Sequence, residues 1–488
     1  MRPRLRFLDD PLLERIVTEG RDLLCRLGLE VHNDRAVRLL ADNGAQVGHA
    51  DGRVRLTQAM IDEALRRVSR SFKLYDVLGN ETHDFTDDRV YFTPGSAAIH
   101  ILDYPSGAMR RPETADYVRY TKLVAGLKHI ASQSTAMIAA DVPAGIQDSY
   151  RLYLSLLHGE KPVVTGAFTI PSYEPMRDLQ IAVRGSAEEL RAKPLTIFSV
   201  CPTAPLKWSE VTSQNLLDCA RDGVPVEYVS MPLAGFMGPV TLVGSLIQHT
   251  AETLSGVVLT QLARPGAPVL YGGSPAIFDV RYETTPMGAV ETQMIDCAYS
   301  EIGKHLGMPT QAYIGLSDAK QLDAQAGLET SMGATLAMLS GVNSVSGPGM
   351  LDFESCQSLE KLAVDNEICG LAGRLAEGIT PREDFPSLER FEELLREGHL
   401  LISKHTRRHL RDEHYIPGPT IDRANRARWM EEGGLTLGER AHREVERLVA
   451  AAQPSRLSKE AKAELTRLMQ TEARKFGMDA LPKSGFEA

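Results

Sequence analysis

Ala267-Pro268-Val269-Leu270-Tyr271-Gly272-Gly273-Ser274 follows a long amphipathic stretch, residues 243–264, and a Pro265-Gly266 turn. The turn ends the helix, and a short apolar run bounded by Pro and Gly reads as a buried strand. This strand-after-helix unit recurs along the central chain. Strands are predicted at 99–102, 136–140, 163–168, 195–200, 226–229, 269–271, 310–314 and 342–345. Helical patterns are predicted at 114–126, 148–158, 173–184, 209–222, 243–264, 289–307, 324–339 and 358–375. Eight strands, each followed by a helix, match a closed parallel (β/α)8 TIM barrel, and the roughly 290 residues from 86 to 376 suit one such barrel. A doubly wound open sheet is the competing α/β arrangement. Neither GxGxxG nor GxxxxGK[ST] opens any of the helices, which removes the usual nucleotide-binding reason for an open sheet.

Helical regions flank the barrel. Residues 1–85 carry three amphipathic patterns, at 11–27, 34–43 and 57–68, the last with Thr57 as its N-cap. Residues 377–488 are again helical and richly charged, punctuated by Pro381, Pro386, Pro417 and Pro419, with their longest helix predicted at 457–476.

The 488 residues are 43% hydrophobic and 24% charged, which is enough to build a large soluble core. A net charge of −10 argues against a nucleic-acid partner, because neutralising phosphates takes clustered Lys and Arg. Six cysteines without a CxxC or a regular framework fit a reducing compartment. With no signal peptide and no membrane span in the sequence, a cytoplasmic location is the expectation.

In a barrel, chemistry sits where the strands' carboxyl ends meet the βα loops. The predicted ends offer Asp103 and Tyr104, Asp141, Phe168, Cys201, Ser230, Gly272 to Ser274, Asp318, and Gly347 to Met350. There is no HExxH, no zinc-spaced His and Cys cluster, no strand-end lysine and no GxSxG, so no catalytic residue and no metal are assigned. His405 and His409, at i and i+4, lie outside the barrel among arginines. Carboxylates and aromatic rings remain, and together they suit a substrate cation held by ring faces and charge. Each ring on its own is more often an ordinary core residue, and each Asp could be a helix cap.

A family resemblance is carried by Met231-Pro232-Leu233-Ala234-Gly235, Gly238-Pro239-Val240-Thr241-Leu242-Val243-Gly244, Ala251-Glu252 and Arg264 to Val269. Ser317-Asp318-Ala319-Lys320, Asp323 to Gly327, Val364 to Ile368 and Phe92 to Ala98 carry it further. In these stretches the chain resembles the trimethylamine methyltransferase family along nearly its whole length. The resemblance implies a barrel enzyme that passes a methyl group from a methylated amine to the cobalt of a corrinoid (cobalamin) on a separate partner protein, and it also implies a homo-oligomer. The archaeal trimethylamine enzymes carry pyrrolysine; this chain uses only the ordinary twenty amino acids.

That difference points to the substrate. A quaternary ammonium releases a neutral tertiary amine without help from an acid, whereas an unprotonated tertiary amine would have to leave as an amide anion. Glycine betaine or a related betaine is therefore the expected methyl donor. On this reading Phe168, Tyr104 and Phe353 cage the ammonium group, with Asp141 and Asp318 as its electrostatic partners. Lys320, His100 or the backbone amides of Gly272, Gly273, Gly347 and Gly349 meet the carboxylate. The alternatives are a methyltransferase for a tertiary amine such as trimethylamine, a lyase using Asp141 and Glu291 as acid and base, and a non-enzymatic betaine-binding protein.

Overall fold

Val163, Val164 and Thr165 pair in parallel with Thr196, Ile197 and Phe198, and from this ladder the sheet grows in both directions. The computed structural model describes residues 2–104 and 106–483. Its central strands are β1 (Tyr91–Thr93), β2 (Gln133–Ser134), β3 (Val163–Thr165), β4 (Thr196–Val200), β5 (Val226–Tyr228), β6 (Val269–Leu270), β7 (Gln311–Tyr313) and β8 (Ser344–Ser346). Strands β2 to β6 pair in sequence order, and β8 lies between β7 and β1. Two seams close the ring. Tyr271 N donates to Pro309 O at 2.9 Å and Gln311 N to Tyr271 O at 3.0 Å, while Ala131 N donates to Phe92 O at 2.8 Å. The fold is a TIM barrel.

The outer helices are α1 (Thr114–Gly126), α2 (Gln147–His158), α3 (Tyr173–Arg184), α4 (Glu210–Asp222), α5 (Leu242–Ala263), α6 (Val290–His305), α7 (Ala324–Ser340) and α8 (Leu359–Glu377). Their starts are set by side-chain caps: Ser209 accepts from Thr212 N, Thr241 from Gly244 N and Ser358 from Lys361 N. Helix α5 is buried on nearly every face because the N-terminal helices Asp10–Asp22 and Gln58–Arg67 cover its outer side. That second layer explains why its polar residues, Gln248, His249 and Glu252 among them, are buried along with its apolar ones.

Strand alternation divides the barrel interior into two layers. At the lower end Val164, Ile197 and Leu270 meet Leu74 and Phe85 from the hairpin of Lys73–Tyr75 and Glu81–Asp84, which plugs the barrel. Higher up, the lumen turns polar. Tyr228 reaches outward to Thr260 of α5, so its neighbour Glu227 points inward, where it meets Ser199.

Beyond α8 the chain makes an excursion through the helices Leu388–Glu397, Lys404–Glu413 and Arg426–Glu431. It then returns: Leu437–Ala451 packs on α8 and α1, and Lys459–Lys475 on α2 and α3. No helix among the described residues is long and apolar enough to cross a membrane.

Two of the predicted strands are corrected. The first barrel strand is Tyr91–Thr93, not 99–102; His100–Leu102 instead pairs with Cys356–Gln357 and Met109–Arg110 in a small separate sheet. The second ends at Ser134, before the predicted 136–140, and Met137 makes only an isolated bridge to Ala98. In both places the more apolar run lies beyond the strand that closes the barrel.

Candidate active site

Residues just past the carboxyl ends of β3, β4 and β5 enclose a cavity of about 360 Å³. Gly166 to Phe168, Ser199 to Cys201, Val229 and Met231 form its strand-end wall. Arg151 and Asn215 enter from the helices, and Tyr313 and Glu354 from the far side.

The cavity and the lumen beside it are unusual in their charge, since the lining Glu354 has Glu227 and Asp296 within electrostatic reach. Glu227 is fully buried; its Oε1 accepts from Ser199 Oγ at 2.7 Å, and its Oε2 has no partner. Burial pushes its carboxyl up to about 7, partly offset by the Ser199 hydroxyl. Glu354 is held by three successive residues with left-handed backbone, Asp352, Phe353 and Glu354, at φ 50°, 54° and 69°. Such geometry is costly for residues with a Cβ. Its Oε1 is buried without a partner, and burial raises its carboxyl well above the ordinary range, with Asp296 and Glu227 adding like charge. Asp296 on α6 is also fully buried and raised. Close by, Tyr299 spends its hydroxyl on Gly273 O at 2.9 Å. No cation among the described residues offsets any of these three acids.

The cavity's own cation is already paired. Arg151, buried on α2, donates to Asp148 Oδ1 at 2.8 Å and to Thr135 O at 3.1 Å, and its guanidinium lies 5.0 Å from the centre of the Phe168 ring. Its Nε is left without a partner, as are Asn215 Oδ1 and Glu354 Oε1 in the same lining. Buried polar groups are normally satisfied, so this concentration of orphans marks a site built to receive something.

Of the residues named from sequence, the structure places Phe168 in the cavity wall, 60% exposed. Tyr104 instead stacks on His442, with ring centres 4.3 Å apart. Asp141 accepts the Thr114 amide at the start of α1, both oxygens at 3.1 Å. Asp318 accepts from Met287 N at 2.9 Å and Gly288 N at 2.8 Å, tying down the loop before α6. Phe353 already has a cation, since Lys320 Nζ sits 3.9 Å from its ring centre while donating to Asp318 O at 2.7 Å. His100 belongs to the small sheet beside Cys356. Three glycine amides are spent within the fold: Gly273 on Gln311 Oε1, Gly347 on Thr93 O and Gly349 on Asp365 Oδ2. Gly272 gives its carbonyl to His249. Glu291 is exposed at the start of α6, and Asp141 lies at α1, so that acid and base pair is not assembled.

Arg151, Tyr313 and Glu354, which line the cavity, and Glu227 and Asp296, buried within electrostatic reach of Glu354, were not singled out from sequence. One signal was present: Glu227 is a carboxylate inside a predicted strand, where only a residue facing a polar lumen is expected.

The comparisons with known proteins agree in direction. Residues 1–477 match the family profile described as trimethylamine methyltransferase (MTTB). The chain is similar to the glycine betaine methyltransferase of Desulfitobacterium hafniense (strain Y51), 28% identical over 477 residues that cover 97% of this chain and 98% of that one. It is also similar to trimethylamine methyltransferase MttB of Methanosarcina barkeri, 31% identical over 432 residues, covering 87% and 86%. Among solved structures, the Methanosarcina barkeri monomethylamine methyltransferase MtmB shares the fold, with a TM-score of 0.52 at 12% identity over 97% of this chain and 89% of that one.

Proposed function

Because the chain belongs to the trimethylamine methyltransferase family and is thus a methyltransferase, we propose that it removes a methyl group from a quaternary amine of the glycine betaine type and passes it to a corrinoid carried by a separate protein. The observation that carries this reading is the cluster of Glu227, Glu354 and Asp296, buried around a lumen with no cation to offset them. Buried carboxyls are stable when paired or protonated. A quaternary ammonium is a permanent cation that can enter an apolar pocket and supply the missing charge, and Phe168 and Tyr313 offer ring faces for it. Similarity to a glycine betaine methyltransferase over nearly the whole chain supports the same substrate class.

A corrinoid on the partner would supply a cobalt(I) nucleophile for the methyl carbon, and the C–N electron pair would remain with the departing amine. The chain's own part is to hold the cation with one methyl directed at the barrel mouth and to keep water away from it. No proton is required, since a neutral tertiary amine leaves. The unpartnered Nε of Arg151, beside Phe168, is positioned to attract the betaine carboxylate.

A tertiary amine such as trimethylamine is the second reading, favoured by the raised carboxyl of Glu354. A carboxyl that burial holds towards its protonated form can donate its proton to such an amine and make it a better methyl donor. Incubation with reduced corrinoid protein and a panel of glycine betaine, carnitine, proline betaine, choline and trimethylamine separates the two readings. Loss of cobalt(I) absorbance matched by release of dimethylglycine, or of another tertiary amine from a betaine, is the expected outcome. Turnover of trimethylamine alone would reverse the assignment.

A further inference from the structure

The turn that carries Glu354 runs against the backbone preferences of its own residues. It joins Met350–Leu351 to the antiparallel Cys356–Gln357, and Asp352, Phe353 and Glu354 within it all hold left-handed backbone. None of the three is a glycine, so the conformation persists only where neighbouring groups hold it. Ser355 Oγ donates to Asp352 Oδ2 at 2.6 Å and Ser355 N to Asp352 O at 3.0 Å, but these bonds lie within the turn and move with it.

The groups that hold the turn from outside come from the loop after β7. Asp352 N donates to Ala319 O at 2.9 Å, which ties the start of the turn to that loop. Lys320, the next residue, closes over the middle. Its Nζ lies 3.9 Å from the centre of the Phe353 ring and 3.6 Å from Asp352 Oδ1, and it donates to Asp318 O at 2.7 Å. The pair with Asp352 contributes little by itself, because the lysine side chain is 55% exposed. Ring contact and carbonyl bond together seat the ammonium between two loops, and so set where Phe353 lies. The loop that bears Lys320 is itself anchored. Asp318 N and Ser317 Oγ donate to Glu329 Oε2 at 2.8 and 2.5 Å, and the Asp318 carboxylate accepts the amides of Met287 and Gly288 from the loop before α6. The stretch Ser317 to Lys320 thus staples three βα loops, and its end rests on the residue next to Glu354. Glu354 lines the cavity; Lys320 lies outside that lining.

We infer that Lys320 is a positioning residue for methyl transfer: its ammonium, seated on the Phe353 ring, latches the turn of residues 352–354 and so directs the Glu354 carboxyl into the cavity. The inference rests on the reading of Glu354 as an acid that meets the substrate cation.

The test compares Lys320→Met, which keeps the stem and loses the charge, with Lys320→Arg, which keeps a cation for the ring. Hydrogen exchange of peptides covering 350–357 reads the latch without any ligand. It is expected to quicken by about tenfold or more in Lys320→Met, to stay at the wild-type rate in Lys320→Arg, and to leave β4 and β5 unchanged. Glycine betaine affinity, from ligand-detected NMR titration of the full chain, reads what the latch does for the site. Lys320→Met should bind about tenfold more weakly than wild type, but less than about twofold more weakly when both chains also carry Glu354→Gln. Unchanged exchange in Lys320→Met would overturn the inference. So would a tenfold loss that persists in the Glu354→Gln background, since Lys320 would then act on the ligand by another route. If glycine betaine binds Glu354→Gln as tightly as wild type, or binds neither, the reading of the cavity fails instead, and the exchange rates still decide whether Lys320 holds the turn.

Discussion

Glu227 sets the pH behaviour of the site. Its folded carboxyl titrates at about 7 against an ordinary 4.5, because burial penalises the charge more than Ser199 supports it. As the pH rises from 4.5, the unfolded chain gives up this proton first. Stability is therefore full below about 4.5, falls up to about 7, and stays lower above it by about 3 kcal/mol. Glu227→Gln removes the titration, so thermal melts should move in the variant's favour between pH 4.5 and 8. A gap constant with pH would show that the buried acid is already ionised. The same proton must leave when a cation binds, so betaine affinity measured by calorimetry should rise by up to tenfold per pH unit towards 7 and then level off. For Glu354→Gln, which keeps the shape and loses the acid, betaine affinity should fall on the order of 1,000-fold, the scale of breaking a buried charge pair. Neither acid stands out in the sequence. Glu227 acquires meaning only once alternation within a closed barrel makes it face the lumen, and Glu354 depends on three left-handed residues, none of them glycine, that no propensity marks.

Helices and strands differ in how much of themselves they write into the chain. The outer helices were legible to within a few residues because amphipathic period, Ser or Thr caps and terminal glycines such as Gly223 and Gly341 act locally. The first barrel strand was not, since Tyr91–Thr93 is three residues long and gains its place from β8 on one side and β2 on the other. Asp141 and Tyr104 were named as site residues by counting from strand ends that the ladder does not reach, and so they fall outside the cavity. The loop after β8 rests on a different device. Buried Lys361 donates to Asp365 Oδ2 at 2.5 Å and to Thr330 Oγ1 at 2.9 Å, and the same carboxylate oxygen accepts the Gly349 amide at 2.6 Å. Asp365→Ala leaves a buried ammonium alone and should cost about 3–5 kcal/mol in chemical denaturation. Lys361→Met with Asp365→Leu should recover most of that. If the single variant lost less than the double, the pair would not be holding the loop that aims Glu354.

At the scale of the whole molecule, stability is divided unevenly between the barrel and the arm formed by the helices Leu388–Glu397 and Lys404–Glu413. The barrel is sealed below by Leu74 and Phe85, sheathed by α1 to α8 and covered a second time over α5, whereas the arm helices bury nothing within the chain. Amphipathic pattern predicted helices in the C-terminal region, but a pattern cannot say whether its apolar stripe faces the same chain or another one. Hydrogen exchange reads that difference directly, because an amide whose helix packs on nothing opens at almost no cost, while one in a core strand waits for near-global unfolding. Peptides from 388–397 and 404–413, whose helices hold no buried residue, should exchange quickly. Peptides covering β4, β5 and β7 should exchange slowly. Exchange of the arm as slow as that of the core strands would mean that its helices are covered, against the exposure of their side chains.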